Sequence, residues 1–164
     1  MLFRSLGKYG LAEVHWISKE ISRTSAQDTD AKALIELVEQ LNATTLLFSH
    51  SLNGKLLAPL VAAQLKAGLV TGVIELPDTS QGISFKKSVF SGKAYASIEI
   101  KTTRAVLTLN PNSYSIKETG GEAVVTTSTI QIPASRVKTR SVQKTSSELS
   151  LTEARSEEHT SELQ

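Results

Sequence analysis

Two apolar runs without polar alternation, ATTLLFSHS at 43–51 and LVTGVIEL at 69–76, most constrain what this chain can fold into. A strand buried on both faces reads this way, whereas a half-buried strand alternates. Each run follows a segment of helical period. AKALIELVEQLN (31–42) is apolar at Ala31, Leu34, Ile35, Leu37, Val38 and Leu41, which is one buried helix face. Asp30 is placed to cap its start, and Asn42 can close it in the left-handed conformation. NGKLLAPLVAAQLKAG (53–68) is a second helix, starting at Asn53 or Gly54 and ending at Gly68. Pro59 belongs in or near its first turn, because deeper in the helix its ring produces a kink. AEVHWIS (12–18) is β-prone and follows the turn-like LGKYG, with the polar loop SRTSAQDTD after it. Residues 12–76 therefore read strand, helix, strand, helix, strand. That order predicts right-handed crossovers on a parallel sheet.

After Pro77 no helical period remains. SGKA (91–94), NPNS (110–113) and TGGE (119–122) are turn signals, and strands are expected near 84–90, 94–101, 105–109, 122–132 and 136–144, partly antiparallel. SSELSLTEA (146–154) reads as an exposed linker. The fold class is α/β: a parallel sheet with helices, plus β-rich additions in the second half.

The chain's 164 residues suffice for one domain with a real core, and 40% apolar with 21% charged residues is the balance of a soluble globular protein. No apolar run approaches the roughly eighteen residues of a membrane span, and MLFRSLGKYGLAEVHW contains no signal-peptide core. Without cysteine there is no disulfide, thiolate metal site or cysteine nucleophile, which fits a reducing compartment. A net charge of +2 is too small to argue for nucleic acid.

Four constellations could carry chemistry. In FSHSLNGKLL the Gly54-Lys55 turn opens a helix, where backbone amides can hold a phosphate, although the P-loop spacing is absent and Leu56 replaces its magnesium-binding hydroxyl. The alternatives there are a nucleotide-binding module or hydrolase and a plain helix start. His15 and His50 each stand alone on a strand and His159 lies near the C-terminus, a pattern of satisfied structural histidines rather than metal ligands. Ser49 and His50 are strand neighbours, which point to opposite faces and cannot form a nucleophile–base pair. RVKTRSVQK puts Arg136, Lys138, Arg140 and Lys144 along a strand, either as a basic grip or as the charged guard of an edge. No catalytic, cofactor-binding or metal-binding set emerges, which leans toward a binding or scaffold role.

LGKYG, DAKAL, FSHSLNGKLLAPLVAAQLKAGLVTGVIELPD, KKSVFSGKAYASIEI and LTLNPNSY, in this order and spacing, resemble the N-terminal domain of the electron transfer flavoprotein alpha subunit over roughly residues 6 to 154. The resemblance implies a Rossmann-like fold of the adenine nucleotide alpha hydrolase type in a bacterial cytoplasmic electron carrier. Such carriers are alpha–beta heterodimers. They take electrons from acyl-CoA and other dehydrogenases and pass them through a quinone oxidoreductase to the quinone pool. FAD lies mainly in the alpha subunit's C-terminal domain and AMP in the beta subunit, while the N-terminal alpha domain supports and docks the beta subunit. The resemblance thus implies no catalytic or cofactor-binding residue in this stretch. One departure is the pair Leu60 and Gln64, where many relatives carry basic side chains.

The same resemblance sets expectations for the ends. A first strand and helix precede LGKYG in such proteins, and residues 146–154 lead into the FAD domain. Residues 1–5 and 155–164 (RSEEHTSELQ) resemble in-frame translations of sequencing adapters. They are expected to be non-native, with no chemistry to assign to them.

Overall fold

The computed structural model describes residues 3–17, 27–78 and 83–128, together with positions 130, 135, 137, 140 and 141. A 3-10 helix, Arg4–Tyr9, leads into β1 (Glu13–Ile17). Then follow α1 (Gln27–Gln40), β2 (Thr45–Ser49), α2 (Leu52–Leu65) and β3 (Gly68–Val73). The second half contributes β4 (Ser84–Val89), β5 (Ala94–Glu99), β6 (Ala105–Leu109) and β7 (Val124–Ser128).

Both helices lie where the apolar period places them, with shifted ends. α1 starts before Asp30, so Asp28 and Asp30 sit in its first turn and favour the positive end of the helix dipole instead of capping it. Asn42, at φ +50, closes the helix as its sequence suggests. The Ala43 N–H donates to the Val38 carbonyl and the Asn42 N–H to the Glu39 carbonyl, the paired bonds of a Schellman motif. α2 begins at Leu52 behind an N-cap serine, Ser51, whose Oγ accepts from the Gly54 N–H at 3.4 Å. Its left-handed closing residue is Lys66 (φ +52) rather than Gly68, which opens β3. Pro59 therefore falls in the helix interior and not in the first turn. The helix runs through it because Ala58, Val61 and Ala62 anchor the opposite face in the core, while Pro59 itself is exposed.

The main sheet has the order β2-β6-β3-β4-β5. β2, β6 and β3 are parallel, and β4 and β5 extend the sheet as antiparallel strands. β1 pairs in parallel with β7 in a separate two-stranded sheet. The α/β class with parallel strands is as the sequence indicates, but three features differ. β1, which the strand–helix order puts in one parallel sheet with β2 and β3, lies outside the main sheet, since its hydrogen-bonded neighbour is β7. β2 and β3 are not adjacent, because β6 lies between them. β2 is an edge strand that is not buried on both faces: Leu47 is 60% exposed. The physical reason is that α1 and α2 cover only one face of the sheet. On that face Leu46 and Val106 pack against Ala31, Val38, Ala58, Val61 and Ala62. On the other face Val70, Val73, Leu107 and Phe85 form a second, smaller cluster.

Of the strand expected at 136–144, Val137, Arg140 and Ser141 are described and belong to no regular element, and the rest lies outside the described residues. The same holds for positions 129, 131 and 132 of the preceding strand, for the 146–154 segment and for residues 155–164.

Candidate functional site

The carboxyl ends of β2, β6 and β3 meet the N-terminus of α2, the place where open α/β sheets form ligand crevices. Thr108 on β6 is fully buried there. Its Oγ1 accepts from the Gly72 N–H at 2.8 Å and lies 2.7 Å from His50 Nδ1. The same hydroxyl thus joins the β3 backbone to the His50 ring, and the tautomer of the ring sets which of the two atoms donates. Burial holds the His50 pKa below its ordinary value, and the nearby ammonium groups of Lys55 and Lys87 push it the same way. The backbone N–H of His50 donates to the Leu109 carbonyl at 2.8 Å, tying the end of β2 to β6.

Gly72 is demanded by this arrangement. The β3–β6 register runs Val70↔Leu107 and then Val73↔Leu109, so β3 carries an extra residue, a β-bulge. Gly72 takes φ +70 there, and a Cβ on it would stand 3.5 Å from His50 Nε2. Gly54 has a different reason. A Cβ at this position would lie 1.8 Å from the Ser49 carbonyl oxygen. The glycine lets α2 start directly against the end of β2. Its amide is directed at Ser51, and the Lys55 N–H donates to the Ser51 carbonyl at 2.9 Å. Close packing thus accounts for the Gly54-Lys55 turn, with Lys55 exposed at its rim.

A second concavity lies on the sheet face that the helices leave open. It is a groove of about 350 Å³ bounded by Leu47, Leu107, Leu109, Val73, Phe85 and Ile83, with Thr45, Glu75 and Tyr114 as its polar lining. The Tyr114 hydroxyl donates to the Glu75 carbonyl at 2.8 Å, and burial raises its pKa, with the Glu75 charge adding to the shift. The Glu75 carboxylate accepts from Lys86 Nζ at 2.8 Å. This lining suits an apolar group.

Of the three histidines, His15 and His50 are described and His159 lies outside the described residues. His15 Nδ1 lies 3.2 Å from Ser128 Oγ and its Nε2 3.2 Å from Glu13 Oε2, which links β1 to β7. Ser49 and His50 are not brought together as a pair. Among the described residues no group of three His, Cys, Asp or Glu side chains could hold a metal, and no helix is long and apolar enough to cross a membrane. Of the basic stripe, Arg136, Lys138 and Lys144 lie outside the described residues and Arg140 is exposed. Sequence reasoning missed Thr108, Gly72 and Tyr114. The available signals were a lone hydroxyl in the apolar strand AVLTL and an isolated glycine inside β3, which marks a bulge.

Residues 2–135 match the family model described as the electron transfer flavoprotein domain. The chain belongs to that family. Among curated proteins, the electron transfer flavoprotein subunit alpha of Bacillus subtilis (strain 168) is 25% identical over 150 residues, covering 90% of this chain and 46% of that protein. The subunit alpha of Syntrophomonas wolfei subsp. wolfei (strain DSM 2245B / Goettingen) is 24% identical over 118 residues, covering 72% of this chain and 37% of that protein. The chain thus spans less than half the length of either relative. As a family member it shares the Rossmann-like α/β arrangement expected of it. Leu60 and Gln64 are exposed on α2.

Proposed function

We propose that this chain is the N-terminal domain of an electron transfer flavoprotein alpha subunit and that its task is to support and dock the beta subunit. Supporting this reading is the family match over residues 2–135, to which both alpha-subunit relatives add weight. In the parent complex FAD is held by the part of the alpha subunit outside this match, and AMP by the beta subunit. Electrons arrive from acyl-CoA and other dehydrogenases and leave through a quinone oxidoreductase, in the bacterial cytoplasm. The domain described here moves no electrons itself. Several of its polar side chains hold the fold together: His50 with Thr108, His15 with Ser128 and Glu13, Lys86 with Glu75.

The test is co-expression of the chain with the beta subunit of the same organism, followed by size-exclusion chromatography and FAD titration. An equimolar complex, with no flavin bound by this chain alone, is the expected result. Stoichiometric, tight FAD binding by the isolated chain, or no complex with the beta subunit, overturns the proposal.

A further inference from the structure

α2 lacks the polar outer face that a helix lying on a sheet normally turns to water. Of its 14 residues, LNGKLLAPLVAAQL, Lys55 is the only charged one. Its inner face is in the core, where Ala58, Val61 and Ala62 cluster with Leu46 and Val106. The outer face presents Leu52, Leu56, Pro59, Leu60 and Ala63, all exposed. Leu52 is 75% exposed, and Leu56 and Leu60 are 41% exposed each. The elements packed against α2 are α1, β2, β3 and β6, and they leave these side chains in solvent. An apolar exterior is not a property of the whole helical layer, since α1, of equal length, carries Asp28, Asp30, Lys32, Glu36 and Glu39. A helix that is apolar all round is one that other structure covers on every side.

The exposed stripe has the spacing of a helix-packing seam. Leu52, Leu56, Pro59 and Ala63 recur at intervals of four, three and four residues, and Leu60 widens the stripe beside them. Ala63 is small enough for a second backbone to approach closely. The rim of the stripe is cationic. Lys55 near the start of α2 and Lys66 at its left-handed end are both exposed, and no acidic residue lies between them in the sequence. Among the described residues neither lysine forms an ion pair.

We propose that the outer face of α2 is a docking surface for an amphipathic helix of a partner protein whose apolar face is flanked by acidic side chains. The apolar face of that helix lies along Leu52, Leu56 and Leu60, as anchors at helical spacing do when one helix recognises another. Its acidic flanks meet Lys55 and Lys66, which orient it and disfavour a basic partner. The surface is on the helical side of the sheet, opposite the apolar groove. An apolar exterior and two unpaired lysines at its ends then have one explanation.

The test is fluorescence-anisotropy titration of the full chain against two labelled synthetic helices. Both carry leucines at alternating intervals of four and three residues, flanked by glutamate in one and by lysine in the other. The wild type is expected to bind the glutamate-flanked helix at least about tenfold more tightly than the lysine-flanked one. Leu52→Glu and Leu56→Glu are each expected to weaken that binding by at least about tenfold. Thermal melts accompany both variants. Leu52 is largely solvated at the first turn, where a carboxylate suits the helix dipole, so Leu52→Glu keeps the fold even if Leu56→Glu does not. Equal affinity for the two helices, or binding of neither, overturns the acidic partner, and wild-type affinity in Leu52→Glu overturns the surface. Sedimentation of the chain alone covers the other occupant: a dimer that Leu52→Glu dissociates puts a second copy on this face and overturns the proposal.

Discussion

At the residue scale, the close approach of α2 to β2 rests on one missing methyl group. Any Cβ at position 54 overlaps the Ser49 carbonyl oxygen, which is backbone and cannot swing aside. Gly54→Ala should therefore cost about 1–3 kcal/mol, the range for forced overpacking, despite the higher helix propensity of alanine. A urea titration checks this, and a midpoint equal to that of the wild type contradicts the close approach. Thr108 is the second pivot. Thr108→Val leaves Gly72 N–H and His50 Nδ1 without their shared partner, an expected loss of about 1–3 kcal/mol. His50 adds a pH dependence. Its folded pKa is lowered from 6.5 by burial first and then by Lys55 and Lys87, so below that value the unfolded chain binds more protons than the folded one. Its contribution is complete above about pH 6.5 and is lost as the pH falls toward the folded pKa. Denaturation midpoints of the wild type measured at about pH 7.5 and about pH 5.5 read that loss.

At the element scale, α2 carries a proline where helices rarely tolerate one. Pro59 has no N–H to give to the Lys55 carbonyl, and an interior proline costs about 3 kcal/mol relative to alanine. Because it faces solvent, Pro59→Ala should add about 1–3 kcal/mol to stability without disturbing the core, visible as a higher Tm. An unchanged Tm would mean that the helix has already adapted to the ring. This helix also shows what could be read from sequence. Its existence followed from the apolar pattern and the flanking turn signals. Its ends did not, because Ser51 outcompetes Asn53 as a cap and Lys66 takes a left-handed conformation usually left to glycine. The strands follow the same rule. β4, β5, β6 and β7 lie inside the segments expected from composition and turns. The placement of β6 between β2 and β3 was hidden, since strand order depends on contacts across more than thirty residues and leaves no local trace. The hydrogen-bond partners of His50 and His15, Thr108 and Ser128, are equally remote in sequence.

At the scale of the whole molecule, the helices sit on one face of the five-stranded sheet, and the other face carries the apolar groove. Val70, Val73, Leu107 and Phe85 bury one another there, but Leu47 and Ile83 remain 60% and 56% exposed on its margin. Contiguous apolar surface of this kind drives association in water, because removing it from solvent gains about 25 cal/mol for each Å². The chain alone should therefore associate as its concentration rises and bind an apolar fluorescent dye. Leu47→Lys tests where the attraction lies. The residue is at an edge strand, its side chain is largely solvated already, and a lysine can lay its stem along the groove while keeping its ammonium in water. Stability should change by no more than about 0.5 kcal/mol, as at other exposed positions. Light scattering should show a shift toward monomer, and dye fluorescence should fall. Persistent association with undiminished dye binding would locate the sticky surface elsewhere. The β5 edge, at the other end of the same sheet, is the next place to look, and Ser97→Lys separates the two. An edge-mediated assembly dissolves in Ser97→Lys and survives Leu47→Lys, whereas a face-mediated one does the reverse.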